Sequence, residues 1–166
     1  MDIEIKILDK KFYGDEAQYY QSGLFGLMDN GVPNRLPSYA TVGSAAMDLR
    51  ITKDLLLLPN CSVLVPTGLA IHIKDPNIMG VIVPRSGLGH NDGLVLGNLV
   101  GVLDSDYIGE IKISLWNRSE EVIKYYAGDR VVQLAFVPVV KAVFNIVSDF
   151  SNNTQRGIGG FGHTGV

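Results

Sequence analysis

Short runs in which apolar and polar residues alternate recur along most of the chain. Alternation with a period of two places every second side chain on the same face, which is typical of β-strands with one buried face. No stretch has the longer period of an extended amphipathic helix. The clearest runs are 3–7, 69–73, 111–115 and 131–137.

Clusters of turn-forming residues separate these runs at strand-length intervals. Proline, glycine, asparagine and aspartate dominate them because these residues initiate or tolerate tight turns. Many short strands with regularly spaced turns predict an all-β fold in a single domain, as a β-sandwich, jelly roll or barrel. The clusters are Pro59-Asn60, Asp75-Pro76-Asn77, residues 87–93 and Ala127-Gly128-Asp129.

Two stretches lack this alternation of apolar and polar residues. Residues 11–34 are rich in glycine and tyrosine without a sustained period, which predicts a long loop or insertion. Residues 151–166 are dense in glycine and carry no core-forming pattern, so we expect a flexible tail. The predicted organisation is a β domain over residues 1–150 followed by this tail.

Charge and cysteine content exclude several classes of protein. The 166 residues include 14 Lys and Arg against 17 Asp and Glu, a formal charge of −3, without a run of like charges. Nucleic-acid polymers and anionic membranes need clustered cations, so neither is an expected partner. The N-terminus alternates apolar and charged residues, unlike a signal peptide, and the single Cys61 excludes an intramolecular disulfide. These features predict a cytoplasmic protein.

Two glycine-rich segments also hold candidate chemistry. Arg85-Ser86-Gly87 offers a guanidinium, a hydroxyl and a permissive backbone side by side, which suits a phosphate oxygen. Asp104 and Asp106 share one face if the chain is extended there, and a carboxylate in that position suits a general base near an anion. Taken alone, each segment is more typical of an ordinary surface turn.

Familiar nucleotide-binding and hydrolase motifs are absent or out of context. The chain has no Gly-Lys-Ser/Thr P-loop and no Gly-x-Ser-x-Gly elbow, and His72, His90 and His163 lack metal-ligand spacing. Residues 157–162 have the glycine spacing of a dinucleotide-binding fingerprint. Only four residues follow them, too few for the helix which that motif requires, so we reject that interpretation.

Five segments taken in order resemble the five motifs of the trimeric deoxyuridine triphosphate pyrophosphatases, or dUTPases. The order, the spacing and the glycine positions agree, and the third and fifth segments are the most specific. The resemblance runs from about Leu36 to the C-terminus, and residues 3–8 are similar to the family's first strand. The segments are Ser44-Ala45-Ala46-Met47-Asp48-Leu49, Pro84-Arg85-Ser86-Gly87-Leu88 and residues 97–107, 128–133 and 156–165.

The resemblance implies a fold, an assembly and a reaction. The fold would be a distorted jelly-roll β-sandwich or barrel, and the assembly a homotrimer whose sites each use motifs from three subunits. The reaction would be hydrolysis of dUTP to dUMP and diphosphate, by attack of water on the α-phosphorus with Mg²⁺ on the triphosphate. Such an enzyme limits uracil incorporation into DNA and supplies dUMP for thymidylate synthesis.

The third motif would supply most of the nucleoside site. Asp104 matches the carboxylate that orients and deprotonates the water, whereas we expect Asp106 to support the turn. Tyr107 matches the ring that packs under the deoxyribose; without the family it would be a core or turn aromatic. The matches at the uracil edge are Asn98 and the backbone of Gly101, Val102 and Leu103.

The other motifs would hold the phosphates, the metal and a closing tail. Asp48 matches an acid that reaches Mg²⁺ through water. A single Asp is too few ligands for a protein cage, which fits an ion carried mainly by the substrate phosphates. Lys112 matches a substrate-contacting position, although its plain alternative is a solvated strand face. The tail would close over bound substrate; without the family it is simply a disordered end. The implied phosphate ligands are Arg85, Ser86, Gly87, Gln133 and Arg156, with Phe161 stacked on uracil and His163 and Thr164 alongside.

One departure and two rival functions accompany this resemblance. Family members usually pass quickly from the first strand to a segment like residues 37–41, so residues 11–34 are an addition, and their aromatics predict that they cover an apolar surface of the trimer. A dCTP deaminase resembles the same fold, but Asp104, Tyr107 and the complete tail argue against it. A catalytically silent trimeric binding or regulatory module would require the loss of a functional side chain, whereas every matched position holds a competent one.

Overall fold

The computed structural model describes residues 1–15, 35–151 and 154–160. Within them the chain forms ten β-strands, a one-turn α-helix and a π-helical turn. Four of the strands, β1, β4, β8 and β10, overlap the predicted alternating runs. They are β1 (Glu4–Ile7), β2 (Met47–Arg50), β3 (Leu55–Leu57), β4 (Ser62–His72), β5 (Ile78–Pro84), β6 (Leu94–Leu96), β7 (Gly101–Leu103), β8 (Glu110–Asn117), β9 (Ile123–Tyr125) and β10 (Arg130–Pro138), with α1 at Lys10–Tyr13 and the π-helical turn at Leu88–Asp92.

The strands build two four-stranded antiparallel sheets and a two-stranded ribbon. The first sheet has the order β1-β4-β8-β6, the second β2-β10-β5-β7, and the ribbon pairs β3 with β9. Neighbours within a sheet are distant in sequence, as in a jelly roll, and the predicted all-β, jelly-roll fold is confirmed. β6 and β7 are consecutive along the chain but belong to different sheets, so residues 97–100 carry the chain from one sheet to the other.

One hydrophobic core joins both sheets and the ribbon. The alternating positions of β8 point into it, because Ile111, Ile113 and Leu115 are each at most 1% exposed. Strand β4 departs from simple alternation, since Leu69, Ala70 and Ile71 are all buried. Both faces of this part of β4 are therefore covered, one by the main core and the other by the N-terminal residues.

The N-terminal cover depends on a bulge in β4 at Gly68. This glycine has a φ of +68°, and a Cβ there would lie 2.6 Å from the Cβ of Asp9. Its carbonyl accepts the backbone N–H groups of Leu8 and Asp9, at 2.8 and 3.1 Å. The hydroxyl of Tyr13, a residue 3% exposed, donates to the carbonyl of Thr67 at 2.9 Å. Only glycine permits this close approach, and the approach seats α1 on the sheet.

The first residues of the predicted loop over 11–34 are helical. Asp9 caps α1 by accepting the Phe12 N–H at 3.0 Å, so Lys11, Phe12 and Tyr13 are helical. Arg35 lies beside the same helix, because its Nη1 donates to the Phe12 carbonyl at 2.9 Å and its guanidinium stacks 4.5 Å from the Phe12 ring centroid. Residues 16–34 lie outside the described residues.

The last strand ends at Pro138, and residues 139–151 contain neither helix nor strand. Most apolar side chains in this segment, which we call the C-terminal arm, are fully accessible. In the described part of the chain, no helix is long and apolar enough to cross a membrane. The exposed apolar residues of the arm are Val140, Val143, Phe144, Ile146, Val147 and Phe150, from 51% to 97% exposed.

Candidate functional site

Strand β5 separates the predicted site residues into two groups at its two ends. Leu103 pairs with Gly80 near the start of β5, and Asp104 follows Leu103. Arg85 follows Pro84 at the opposite end. Gly80 and Pro84 span about 13 Å at 3.3 Å a residue, and Asp104 and Arg85 each lie beyond those points. After the roles that the sequence predicts for them, we call the two groups the base end and the phosphate end.

An ion-pair cluster organises the phosphate end. Asp48 on β2 faces two guanidinium groups: its Oδ1 lies 3.1 Å from Arg85 Nε, and its Oδ2 lies 3.1 Å from Arg130 Nη1. The second contact is also a hydrogen bond, and Arg85 Nη1 donates to the Arg130 carbonyl at 3.0 Å. The carboxylate is 20% exposed, so solvent screens these pairs only in part. Asp48 therefore orients both cations.

Strand register brings Gln133 to the same cluster. Gln133 on β10 pairs with Asp48 on β2 and, on its other side, with Val83 on β5. It lines a cleft of about 150 Å³ together with Arg85 and the helical residues that follow. The predicted phosphate ligands Arg85, Ser86, Gly87 and Gln133 are thus brought together.

A tight turn before β10 places Arg130. Gly128 has a φ of +103°, its N–H donates to the Ile51 carbonyl at 2.8 Å, and its carbonyl accepts Arg50 Nη1 at 2.6 Å. Burial lowers the pKa of Arg50 from its ordinary value, although the guanidinium remains a cation at neutral pH. These bonds join the turn to β2, so Arg130 starts its strand beside Asp48.

The base end is built on an edge strand. β7 pairs with β5 on one side only and is the last strand of its sheet. An edge strand presents backbone N–H and C=O groups that the sheet does not use. The predicted uracil-contacting backbone of Gly101, Val102 and Leu103 is this strand, and a Cβ on Gly101 would approach Ile82 Cβ to 3.0 Å.

Asp104 and Tyr107 follow β7 in a short turn. Asp104 is exposed, and its carbonyl accepts the Tyr107 N–H at 3.2 Å. The Tyr107 hydroxyl donates to the Glu110 carbonyl at 2.9 Å, and its ring lies over Gly109. A Cβ at Gly109 would lie 2.6 Å from that hydroxyl oxygen, so glycine makes room for the ring. Asp104 borders an open cleft of about 420 Å³ together with Asp106 and Lys141.

Several predicted residues are not brought to either group by the described contacts. Lys112 lies exposed on β8, opposite Pro66. Arg156 lies in a turn where its Nε donates to the Gly159 carbonyl at 2.8 Å. Phe161, His163 and Thr164 fall outside the described residues. Asn98 lies exposed in the connection between β6 and β7, where its carbonyl accepts the Val100 N–H at 2.7 Å.

Sequence reasoning missed Arg130 as a functional residue. It stands within the fourth segment, three positions before Gln133, but nothing in the sequence pairs it with an aspartate 82 residues away. Its one sequence signal is its place directly after the Gly128-Asp129 turn. The structure adds it to the phosphate end as a second cation on Asp48.

The residues at the phosphate end do not form a metal cage. Within residues 1–15, 35–151 and 154–160, no group of three or more His, Cys, Asp or Glu side chains is placed to hold an ion. Asp48 Oδ1 is buried and accepts no hydrogen bond from these residues, despite the nearby Arg85 charge. An oxygen that can still accept a hydrogen bond suits a contact through water to an ion that the phosphates carry, rather than direct ligation of the ion.

The chain was compared with known families and proteins. The family model described as dUTPase matches residues 33–165. A protein from Actinobacillus pleuropneumoniae serotype 3, named deoxyuridine 5'-triphosphate nucleotidohydrolase, is 56% identical over 144 residues, 86% of this chain and 93% of that protein. A protein of the same name from Pasteurella multocida is 50% identical over 165 residues, 98% of this chain and 97% of that protein.

Solved structures agree in fold. The dUTPase from Streptococcus mutans is 31% identical with a TM-score of 0.61, over 66% of this chain and 89% of that chain. The Staphylococcus bacteriophage 80alpha dUTPase with dUpNHpp has a TM-score of 0.76 at 21% identity, over 99% of each chain, which supports the fold alone. The family match covers every segment from β2 to the tail. The chain belongs to the dUTPase family.

Proposed function

We propose that the chain hydrolyses dUTP to dUMP and diphosphate by attack of water on the α-phosphorus, with Asp104 as the general base. The observation that carries the assignment of the base is the position of Asp104. Its exposed carboxylate directly follows the edge strand β7, so a nucleotide bound to that edge would bring its α-phosphate close to this residue.

The free edge of β7 suits recognition of uracil. The uracil edge presents a ring N–H donor flanked by two carbonyl acceptors, and a strand edge offers N–H and C=O groups in fixed alternation. Cytosine presents an amino donor where uracil has a carbonyl, and a ring nitrogen acceptor where uracil has an N–H donor. Two backbone contacts would therefore be lost and their backbone groups left unpaired. Asn98, Gly101, Val102 and Leu103 are the proposed uracil contacts, and Tyr107 packs under the deoxyribose.

Asp104 performs the proton transfer in this proposal. Its carboxylate is exposed to solvent, where it can contact a water molecule and accept a proton from it. The water oxygen forms a bond to the α-phosphorus while the bond from that phosphorus to the bridging oxygen breaks. Diphosphate leaves with the bonding electron pair, and the water proton resides on Asp104 until solvent removes it.

The phosphate end binds the leaving diphosphate. Arg85, Ser86, Gly87 and Gln133 line one cleft and supply a cation, a hydroxyl, a backbone N–H and an amide. Asp48 neutralises part of the charge of Arg85 and Arg130, which keeps both guanidinium groups ordered before substrate arrives. A bound triphosphate would then share these cations with Asp48.

Mg²⁺ is the proposed cofactor, carried mainly by the substrate phosphates. When bound, it offsets the negative charge of the triphosphate. Asp48 would face it through water, since its Oδ2 is occupied by Arg130 and its Oδ1 has unused accepting capacity. Among the structural neighbours, a mutant dUTPase from phage phi11 of S. aureus is described as coordinating a structural Mg(II) ion.

A homotrimer with shared sites is the proposed assembly. Within one chain the base end and the phosphate end lie at opposite ends of β5, more than about 13 Å apart. The α-phosphate and the leaving diphosphate are adjacent groups of one substrate. The separation therefore favours a site that takes Asp104 from one copy and Arg85 from another, and the exposed apolar arm supplies a surface for association.

The remaining predicted residues complete the proposal. Lys112 would contact substrate from a neighbouring copy, and residues 151–166 would close over it, with Arg156 on the γ-phosphate and Phe161 on uracil. His163 and Thr164 would lie alongside. Residues 11–34 would cover an apolar surface of the trimer, and a cytoplasmic location stays a prediction from the sequence.

The decisive experiment measures diphosphate release from dUTP, dCTP, dTTP and UTP with Mg²⁺, in wild type, Asp104→Asn and the matched control Asp106→Asn. We expect turnover of dUTP alone, a loss of about 100-fold or more in Asp104→Asn, and a near-normal Asp106→Asn. Equal losses in both variants would reject Asp104 as the base. Ammonia released from dCTP would instead support a deaminase, and an inactive wild type with tight dUTP binding would support a silent module.

A further inference from the structure

The phosphate-contacting residues continue directly into the π-helical turn Leu88–Asp92. This turn also contacts residues that do not line the cleft. The Gly89 N–H donates to the Arg85 carbonyl at 2.9 Å, so the backbone around Ser86 and Gly87 is part of one continuous helical segment. Whatever holds Leu88–Asp92 in place also sets the direction of the Ser86 hydroxyl and the Gly87 N–H.

Arg118, in the connection between β8 and β9, holds the middle and the end of this turn. Its Nη2 donates to the Gly89 carbonyl at 2.9 Å, and its backbone N–H donates to the Gly93 carbonyl at 3.0 Å. Gly93 has a φ of +73°, and a Cβ there would lie 3.0 Å from Ser119 Cβ. The two segments are in close contact, and Gly93 is the residue type that allows it.

A buried asparagine fixes the connection that carries Arg118. Asn117 has no exposed surface, and its Nδ2 donates to the Leu57 and Glu121 carbonyls at 3.1 and 2.7 Å. Its Oδ1 accepts the Ser119 N–H at 2.9 Å and the Ser119 hydroxyl at 2.7 Å. Each hydrogen-bonding group of this amide has a partner, so the connection is rigid where Arg118 leaves it.

Tyr125 on β9 holds the last residue of the π-helical turn. Its hydroxyl donates to Asp92 Oδ2 at 2.7 Å, and its ring packs against the main core. The ring is thus anchored at one end, and its polar tip reaches the turn. Arg118 and Tyr125 together contact the turn at Gly89, Asp92 and Gly93, and neither lines the cleft.

We propose that Arg118 and Tyr125 are positioning residues for phosphate binding: they brace the π-helical turn from outside and so hold Ser86 and Gly87 in the orientation that receives the triphosphate. The inference rests on the proposed phosphate-binding role of Arg85, Ser86 and Gly87. In this proposal, residues on β9 and on the connection before it help to position the phosphate site. Neither of these two regions belongs to the five family-like segments.

The test compares binding of two ligands to the full-length enzyme, the triphosphate analogue dUpNHpp and the product dUMP. A loosened phosphate turn weakens only the ligand that has β- and γ-phosphates. We expect Tyr125→Phe and Arg118→Ala each to weaken dUpNHpp about 5-fold, the effect of one lost hydrogen bond of about 1 kcal/mol. Binding of dUMP should stay within experimental error, with the melting temperature recorded for every variant.

Matched variants separate positioning from general destabilisation. Tyr126→Phe removes a hydroxyl from the adjacent, 63% exposed tyrosine, and Lys124→Ala removes an exposed cation from β9; both should bind dUpNHpp normally. Asp92→Asn keeps an oxygen acceptor for Tyr125 and should retain affinity, whereas Asp92→Ala should match Tyr125→Phe. The double variant of Tyr125→Phe and Asp92→Ala should lose no more than either single variant.

Arg85→Gln separates this inference from the function on which it rests. If Arg85→Gln weakens dUpNHpp and the Arg118 and Tyr125 variants do not, the brace is rejected and the phosphate site remains. If Arg85→Gln binds dUpNHpp normally, the phosphate site and the brace are both rejected. Parallel losses for dUpNHpp and dUMP would also overturn the brace, because they would indicate a general effect on the fold.

Discussion

The two ends of β5 differ in how their charges are compensated before substrate binds. At the phosphate end, Asp48 already pairs with Arg85 and Arg130. At the base end, Asp104 is exposed, and among the described residues its carboxylate takes part in no ion pair or hydrogen bond. A group that must accept a proton needs access to water, whereas groups that bind a polyanion need to be held together against mutual repulsion.

The phosphate end is therefore ordered before substrate binds, whereas the carboxylate at the base end is left accessible. The cations are ordered by an internal counter-ion, so phosphate binding does not have to overcome the disorder of two long side chains. In the proposed mechanism, Asp104 carries no such constraint and depends on the nucleotide to bring the α-phosphorus to it.

Subunit mixing tests whether the two ends belong to different copies. Asp104→Asn and Arg85→Gln should each be nearly inactive alone, because each damages one end of every site. In trimers assembled from equal amounts of both, about a quarter of the sites combine an intact Asp104 with an intact Arg85 from another copy. Activity should therefore rise to about a quarter of wild type. Mixtures that stay inactive would show that both ends serve the same site within one copy.

Removing the counter-ion tests the preorganisation of the phosphate end. Asp48→Asn leaves Arg85 and Arg130 close together without their shared carboxylate. We expect kcat/KM for dUTP to fall about 10-fold, as charge-assisted hydrogen bonds contribute about 1.5–3 kcal/mol. Steady-state kinetics would measure kcat/KM. The matched control is Asp106→Asn, which removes one carboxylate at the base end. A normal kcat/KM for Asp48→Asn would show that phosphate binding does not depend on the pairing of Asp48 with Arg85 and Arg130.

A methyl group at Gly109 tests the geometry of the base end without touching a charge. The added Cβ would lie 2.6 Å from the Tyr107 hydroxyl oxygen, so the ring must move. We expect KM for dUTP to rise about 3- to 5-fold, a cost of roughly 1 kcal/mol for a displaced ring contact, and discrimination against UTP to weaken. Gly43→Ala is the control, because nothing lies within 4 Å of the Cβ it would add. Unchanged kinetics in Gly109→Ala would argue against Tyr107 as a sugar contact.

The smallest expected effect concerns pH at the phosphate end. Burial, followed by the hydrogen bond to Asp92, raises the pKa of Tyr125 above its ordinary value near 10. A raised folded-state pKa contributes stability below the unfolded pKa, and that stability is lost as the pH rises above about 10. The difference in unfolding free energy between wild type and Tyr125→Phe should therefore shrink as the pH rises above about 10 in denaturant titrations. A difference that grows with pH would contradict the direction of the shift.

Most of the fold follows from local patterns. The alternation in 111–115 predicts β8 because one face of that strand packs on the core and the other does not. The pattern is less informative for β4, where a bulge at Gly68 lets the N-terminal helix cover the second face. A single glycine in a run of apolar residues does not reveal which distant segment approaches it.

The candidate site was predictable as a set of residues but not as an arrangement. Arg85, Asp104 and Gln133 stand in recognisable segments, so their chemistry can be named from the sequence. Their separation along β5 depends on the pairing of Leu103 with Gly80, and register is a property of the sheet as a whole. The contact between Asp48 and Arg130 joins residues 82 positions apart, which no local spacing encodes.

If copies of this chain associate through the C-terminal arm, as proposed, the stability of the protein depends on its own concentration. Phe144 and Ile146 are 93% and 97% exposed in the single chain, and association that covers them would stabilise the folded state if it requires folded subunits. By mass action, the melting temperature should then rise with protein concentration, as it does for ligand binding. Dilution would then dissociate the assembly and also lower the free energy of unfolding of each subunit. It would leave the apolar side chains of the arm exposed to other chains.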